Sequence, residues 1–288
     1  MKIIANAKIN LTLEVTGRLP SGFHSIASLM QSVSLADIVT VEQTPQAGIA
    51  ITCSQPDIPT DERNIVHKAI RAFEEAFAPL PTGIAVHIEK RIPSEAGLGG
   101  GSADAAAVLT ALRAIFEPNC ADAQLGRIGA RVGADVPFCL RGGLCMCEGI
   151  GDILSPLPPM PACYPLVIAK PPCGISTKEA YQAIDTLPPR SLPRTSQLGT
   201  LITSQEWEKL FARCANVFEL AAPFPIFDSL RAAMRAHGAM LAQMSGSGSA
   251  IFGIFKDENA AALCADTLRE MVDAVFLCRA IQKTSQPA

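Results

Sequence analysis

The chain has 288 residues, enough for one large or two ordinary domains. With 49% hydrophobic and 18% charged residues it can bury a sizeable core, which excludes disorder as its dominant state. A formal net charge of -3 and no dense basic stretch argue against a nucleic-acid-binding protein. No uncharged apolar run reaches the roughly 18 residues a membrane span needs, and MKIIANAKINLTLEV lacks the unbroken apolar stretch of a signal peptide. The expected compartment is the cytoplasm, with no membrane partner. Ten cysteines without a C-x-x-C pair, and four histidines far from any cysteine pair, predict reduced thiols and no metal site.

Residues 7–15 alternate as a strand, with Ala7, Ile9, Leu11, Leu13 and Val15 on one face and Lys8, Asn10, Thr12 and Glu14 on the other. A Gly/Pro/Ser turn follows at 17–22, then short strands at 36–43 and 48–53. Asn64 opens a helix whose apolar residues recur at helical spacing until Pro79. A strand at 84–89 runs into Lys90 and Arg91, and the glycine-rich segment 93–101 leads into an alanine-rich helix at 102–116. A second helix at 122–132 ends at GADVP, where Pro137 is expected to hold Val136 extended.

Five prolines at 155–165 mark a linker and divide the chain into domains 1–155 and 156–288. Beyond it come a strand at 164–169, a helix near 176–185, a proline-rich connection at 188–193, and helices near 205–220 and 226–237. The chain then reads strand 239–244, glycine turn 245–249, strand 250–255, helix 258–272 and strand 275–281. Irregular alternation of strands and helices favours an α+β fold.

Gly97-Leu98-Gly99-Gly100-Gly101-Ser102 before a helix is the strongest local signal. Backbone N–H groups free of side chains can curl around phosphate oxygens, and the helix N-terminus adds unpaired donors and partial positive charge. The loop is not a P-loop, because no Gly-Lys pair occurs in the chain. It is not a dinucleotide turn either, since Ser102 stands where the last glycine would be. Read without further context, Lys8 is a solvated strand residue or a catalytic cation, and Asp135 a turn residue or a base.

PSEAGLGGGSADAAA at 93–107 resembles the phosphate loop of the GHMP kinases, named for galactokinase, homoserine kinase, mevalonate kinase and phosphomevalonate kinase. ANAKINLTLEV at 5–15 and MSGSGSAIFGIF at 244–255 resemble two further motifs of that family, in the same order. Within the family, AKINLTLEVTGRLPSGFHSIASLMQSV, GADVPF and SGSGSA are similar to the branch that phosphorylates a cytidine-diphosphate-linked methylerythritol for the non-mevalonate isoprenoid route. The match is dense over 5–150 and 240–255 and thin between 155 and 240. Two departures stand out: Phe23 replaces the usual Tyr, and Ala103 follows Ser102 where a second Ser is common.

The resemblance implies a two-domain α+β kinase: an N-terminal domain like the second domain of ribosomal protein S5 and a ferredoxin-like C-terminal domain. ATP is the implied co-substrate, with nucleotide-bound Mg2+. Lys8 and Asp135 would form the catalytic pair. Pro93, Ser94, Glu95, Ala96, Gly97, Leu98, Gly99, Gly100, Gly101, Ser102 and Ala103 would hold ATP, with Asn64 and Lys90 on the adenosine side. An N-cap role for Asn64 and a surface charge for Lys90 are the plain alternatives. Asn10, Phe23, His24, Tyr181, Gly246, Ser247 and Gly248 would bind the small-molecule substrate. Phe23 and Tyr181 would sandwich the cytosine while His24 bonds its edge. The same resemblance leaves open a kinase of homoserine, mevalonate or a sugar, or a nucleotide-binding regulator without catalysis.

Overall fold

The long strands β1 (Lys2–Arg18) and β2 (His24–Thr44) form one hairpin whose turn is the Gly/Pro/Ser segment. The protein is seen here as a computed structural model describing residues 1–187, 194–221 and 224–282. The expected strand at 36–43 is thus the end of a strand that starts at His24. Its first half carries Ser28, Gln31 and Ser32 inside the protein, so no hydrophobic period announces it.

Around this hairpin, β3 (Ile49–Cys53), β4 (Gly83–Glu89), β5 (Leu144–Glu148) and β6 (Ile153–Leu157) complete a six-stranded sheet. Its order is β3-β4-β2-β5-β6, with β1 also paired to β2, and only β3 and β4 run parallel among the named pairs. Helix α1 (Ile65–Ala76) begins at Asn64 as read, and α2 (Gly100–Phe116) packs on β1 and β2. Residues Ala103 to Leu109 of α2 are all buried, as expected of a central helix whose small side chains permit close packing on every side. Helices α3 (Asp122–Val132) and α4 (Val136–Arg141) flank it.

Val136 is therefore helical, not extended as expected. Pro137 falls within the first turn of α4, where a missing N–H removes no helical hydrogen bond.

The segment 158–164 leads from β6 of the first sheet to β7 (Pro165–Lys170) of a second. Pro156 lies inside β6, an edge strand, where its absent donor is tolerated. The second sheet adds β8 (Leu241–Met244), β9 (Ile251–Ile254) and β10 (Ala274–Arg279), all antiparallel, in the order β10-β7-β9-β8. Numbered within this half, that is 4-1-3-2, the ferredoxin-like order. Helices α5 (Thr177–Asp185), α6 (Gly199–Thr203), α7 (Trp207–Phe211), α8 (Pro225–Ala236) and α9 (Glu258–Arg269) accompany it.

The single helix expected near 205–220 is broken. Gln205 has φ 57, α7 stops at Phe211, and Asn216 caps a separate 3-10 turn over Val217–Leu220. The proline-rich connection at 188–193 lies outside the described residues.

One buried ionic cluster fixes α2 to the sheet. Lys90 Nζ donates to Asp37 Oδ2 of β2 at 2.5 Å and to Asp104 Oδ2 of α2 at 2.8 Å. Asp37 Oδ1 accepts from the backbone N–H groups of Arg91 and Ile92. Asp104 Oδ1 has no partner, and burial pushes this carboxyl up to about 8 despite the nearby Lys90 charge. Lys90 is the opposite case, raised because its two carboxylate neighbours outweigh the burial that opposes them.

Two stability changes follow. Lys90→Met leaves two buried carboxyls without their cation and should cost about 3–5 kcal/mol in denaturant unfolding. For Asp104, the raised folded value means that stability is full at low pH and is lost between about pH 4 and about pH 8. Asp104→Asn should flatten that part of the profile, so its unfolding midpoint should gain on the parent as pH rises from 5 to 8. Parallel profiles for the two proteins would contradict this assignment.

Candidate active site

The polar face of β1 is as buried as its apolar face. Lys8 is 4% exposed, Asn10 0% and Thr12 2%, because elements from the distant chain cover them. Gln243 Nε2 donates to the carbonyls of Asn10 and Leu11, and Leu13 N–H donates to Ala215 O. Register irregularities between Asn6 and Lys8 and between Asn10 and Thr12 bracket the stretch that carries the two polar side chains. Such breaks re-aim side chains, and they recur beside active sites.

A buried ammonium must be paired, and Lys8 is. Its Nζ donates to Asn10 Oδ1 at 2.6 Å and lies 3.4 Å from Asp135 Oδ2. Asn10 is held in that orientation because its Nδ2 donates to Ser28 Oγ, which donates to Thr12 O. Both ends of the Asn10 amide are therefore engaged within the protein, and its visible work is to position Lys8. Asp135 is reached from the other side, at the N-cap of α4, with its side chain 28% exposed. The strand and the short helix converge on one ion pair.

Beside the pair runs the glycine loop. Lys8 N–H donates to Leu98 O, which ties the loop to β1. Gly99, at φ 70, is the N-cap of α2, and no side chain caps that helix. Its first N–H groups thus remain as donors of the kind that bind anions.

The second glycine turn packs directly on the first. Ser245 Oγ donates to Gly97 O and accepts from Asn10 N–H, and a Cβ on Gly97 would stand 2.0 Å from Ser245 O. Ser247 Oγ lies 3.1 Å from Thr177 Oγ1 at the start of α5.

These groups line one cleft of about 1310 Å³. All the residues singled out from the sequence line it except Ala103, which is 2% exposed inside α2 and faces the core. Asn64 caps α1 through Val66 N–H, and its Nδ2 donates to Pro59 O. Lys90 is not a surface charge, as the buried cluster shows.

The aromatic arrangement differs from the expected sandwich. His24, not Phe23, stacks on Tyr181, with ring centroids 4.6 Å apart and planes at 14°. Phe218 meets Tyr181 edge-on at 4.9 Å, while Phe23 stands at the hairpin tip, 63% exposed. Leu19 N–H donates to Phe23 O, which closes the turn and leaves the Phe23 ring outside it.

Sequence reasoning missed Thr177, Asp185, Phe218, Ser245, Arg63 and Lys178 as site neighbours, all but Ser245 lining the cleft. Ser245 lay within a recognised motif. The others carry no local pattern, because only the packing of distant segments brings them to the cleft. Among the described residues no cluster of three or more His, Cys, Asp or Glu is placed to hold a metal ion.

Comparison with known proteins gives a consistent picture. Residues 64–143 match the family model of the GHMP kinases N terminal domain, and residues 198–274 that of the GHMP kinases C terminal. A Clostridium botulinum (strain Alaska E43 / Type E3) protein named 4-diphosphocytidyl-2-C-methyl-D-erythritol kinase is 40% identical over 98% of this chain and 100% of its own. A Caldicellulosiruptor bescii protein of the same name is 38% identical over 96% of this chain and 97% of its own. A crystal structure of 4-(cytidine 5'-diphospho)-2C-methyl-D-erythritol kinase superposes with a TM-score of 0.79 at 34% identity, covering 97% of this chain and 99% of the other. Homoserine kinase from Cytophaga hutchinsonii shares the fold, with a TM-score of 0.76 at 22% identity over 99% and 95% of the two chains.

The glycines of the loop should separate by role. Gly97→Ala forces a methyl into the Ser245 carbonyl and should lower the thermal unfolding midpoint by several degrees. A Cβ on Gly99 would touch the Lys8 stem at 3.0 Å, so Gly99→Val should impair turnover as well as ATP binding. A Cβ on Gly101 meets only Ile65, at 3.4 Å. Gly101→Ala should therefore fold normally, and a weakened ATP affinity in calorimetry would report close approach of the phosphates to that backbone.

Proposed function

Because the chain belongs to the GHMP kinase family, we propose that it transfers the γ-phosphoryl group of ATP to the 2-hydroxyl of 4-(cytidine 5'-diphospho)-2-C-methyl-D-erythritol, in the non-mevalonate route to isoprenoid precursors. One observation carries the reading: a single cleft holds a helix start without a side-chain cap, a Lys-Asp pair with the lysine buried, and a stacked His-Tyr pair. Those three parts suit the phosphates of ATP, the site of transfer and the base of a nucleotide-linked acceptor. The relatives named for this activity span nearly the whole chain.

The chemistry needs little covalent participation by the protein. In phosphoryl transfer the acceptor oxygen bonds to the γ-phosphorus as the bond to the β-phosphate oxygen breaks, and catalysis rests on positioning and charge stabilisation. Asp135 would take the proton of the attacking hydroxyl. Lys8, fixed by Asn10, would neutralise charge growing on the transferred oxygens. The loop 93–102 would cradle the phosphates of ATP, with Asn64 and Lys90 toward the adenosine.

The residues present fit a magnesium ion carried in by the nucleotide, since Ser102, which carries a hydroxyl, lines the cleft in the first turn of α2. That ion would offset charge on the phosphate oxygens. Phe23, His24 and Tyr181 would bind the cytosine, and the turn Gly246-Ser247-Gly248 would face the substrate diphosphate. The reaction would take place in the cytoplasm.

An ADP-release assay across acceptors tests the reading. The cytidine compound should be phosphorylated, and homoserine, mevalonate and galactose should not; turnover of those acceptors at a comparable rate would refute it. Asp135→Asn should lower kcat by about 10²–10⁴-fold, with both Michaelis constants little changed. Tyr181→Ala should raise the acceptor Michaelis constant by roughly 2–10-fold, the worth of the aromatic pair that holds His24, and leave that of ATP unaltered.

A further inference from the structure

Asp185 is an acidic residue where a helix least favours one. It is the last residue of α5, and the C-terminal end of a helix carries partial negative charge that disfavours a carboxylate. No basic side chain stands in that last turn to offset it. The compensation comes from the other half of the chain. His24 Nε2 lies 2.7 Å from Asp185 Oδ1, and an Arg18 guanidinium nitrogen lies 3.8 Å from Oδ2. Arg18 and His24 face each other as the last paired residues of the β1–β2 hairpin.

Asp185 follows Tyr181 by one helical turn, so the two share a face of α5. Tyr181 stacks on the His24 ring while Asp185 bonds its nitrogen, and all three line the cleft. The ring is thus fixed in plane and in rotation by two residues from one helix.

The chemical consequence concerns the second nitrogen. An ionised carboxylate can only accept, so Nε2 must carry the hydrogen of that bond. In a neutral imidazole the remaining nitrogen, Nδ1, is then a lone-pair acceptor. An acceptor complements the exocyclic amine of cytosine and repels the carbonyl oxygen that uracil carries at the same position.

We propose that Asp185 is a positioning and specificity-determining residue, which holds His24 as the Nε2–H tautomer so that the site selects an aminopyrimidine nucleotide over a uracil one. The inference rests on the cytidine-linked substrate proposed above. The Asp185 carboxyl lies below the usual range, chiefly through its hydrogen bond with His24, in keeping with an acceptor-only role. The Asp185 carboxylate of α5 is faced by two groups of the hairpin, the His24 ring and the Arg18 guanidinium.

Two measurements test it on the full-length protein. The first is independent of substrate: ring-nitrogen NMR of 15N-histidine-labelled protein at pH 8, with His24→Gln used to assign the signal among four histidines. Wild-type His24 should show a protonated Nε2 and a bare Nδ1, and Asp185→Asn should lose that bias. The second is the ratio of kcat/KM for the cytidine substrate to that for its uridine analogue.

Asp185→Asn should reduce the ratio by on the order of tenfold, as loss of one hydrogen bond to a charged group predicts. The change should fall on the acceptor Michaelis constant, with that of ATP unchanged, and Asp185→Glu should restore part of it. Since Asn relieves the helix end of a charge, a folding defect is not expected, and an unchanged unfolding midpoint checks this. His24 protonated on Nδ1 in the wild type, or a ratio unmoved by Asp185→Asn, overturns the assignment. A wild-type enzyme that phosphorylates the cytidine and uridine compounds equally well overturns it too, whereas one that phosphorylates neither overturns the substrate reading instead.

Discussion

A lysine ammonium buried in the middle of a strand is the constraint from which the rest of the site follows. Lys8 is 4% exposed, and an isolated charge at such a position would be too costly to keep. The protein answers with Asn10 on the same strand face and Asp135 from the start of α4. One amide and one carboxylate leave part of the ammonium's three donors open toward the cleft. That residual capacity is what a transferred phosphoryl oxygen would use. The pairing also requires β1, α4 and the glycine loop to stay in register, since Lys8 is held by its backbone as well as its side chain.

The two halves of the chain are joined through this same strand. Ser245 links the β1 backbone to the carbonyl of Gly97, and Gln243 satisfies two β1 carbonyls. Asn216 closes the arrangement by donating to the carbonyls of Met244 and Gly246. All of these bonds but the part-buried Ser245–Gly97 one are buried, where an unmade hydrogen bond is expensive, so the glycine turn of the second half has little freedom to drift from the glycine loop of the first. The contact leaves no room for side chains, which is why glycine stands at position 97.

The cleft separates recognition from chemistry. In the proposed reading the groups that would read the base come from the hairpin tip and α5, whereas those that would cradle phosphates and the Lys8–Asp135 pair come from the loop, α2, α4 and mid-β1. An extended diphosphate can bridge the two ends, so affinity for the base need not disturb alignment at the phosphorus. The Asp37–Lys90–Asp104 cluster serves a different purpose, anchoring the start of α2 from beneath. It is a structural answer to placing a glycine-rich loop, with little side-chain packing of its own, in a fixed position.

The sequence by itself determined the elements whose cues are local. Asn64 as a cap, the glycine loop before an alanine-rich helix, the hairpin around the second glycine turn and the proline-marked passage between sheets all depend on neighbours in the chain. Lys8, Asp135 and the glycine motifs stand out in the sequence only together, through their family resemblance, and the structure brings them to one cleft.

Tertiary structure alone decided what depends on distant segments. Strand β2 begins twelve residues earlier than its alternation suggests, because its first half is buried on both faces and shows no period. Pro137 does not prevent Val136 from being helical, since a helix start has no use for the missing N–H. Lys90, for which a surface charge was the plain alternative to an adenosine-side role, lies beneath α2, where Asp37 and Asp104 converge on it from 53 and 14 residues away. His24 lies on the Tyr181 face where the cytosine was expected, its ring held by Asp185, 161 residues along the chain. Periodicity and capping report on a residue's own turn or strand; charge pairing and ring stacking across the cleft are settled only when the chain has folded.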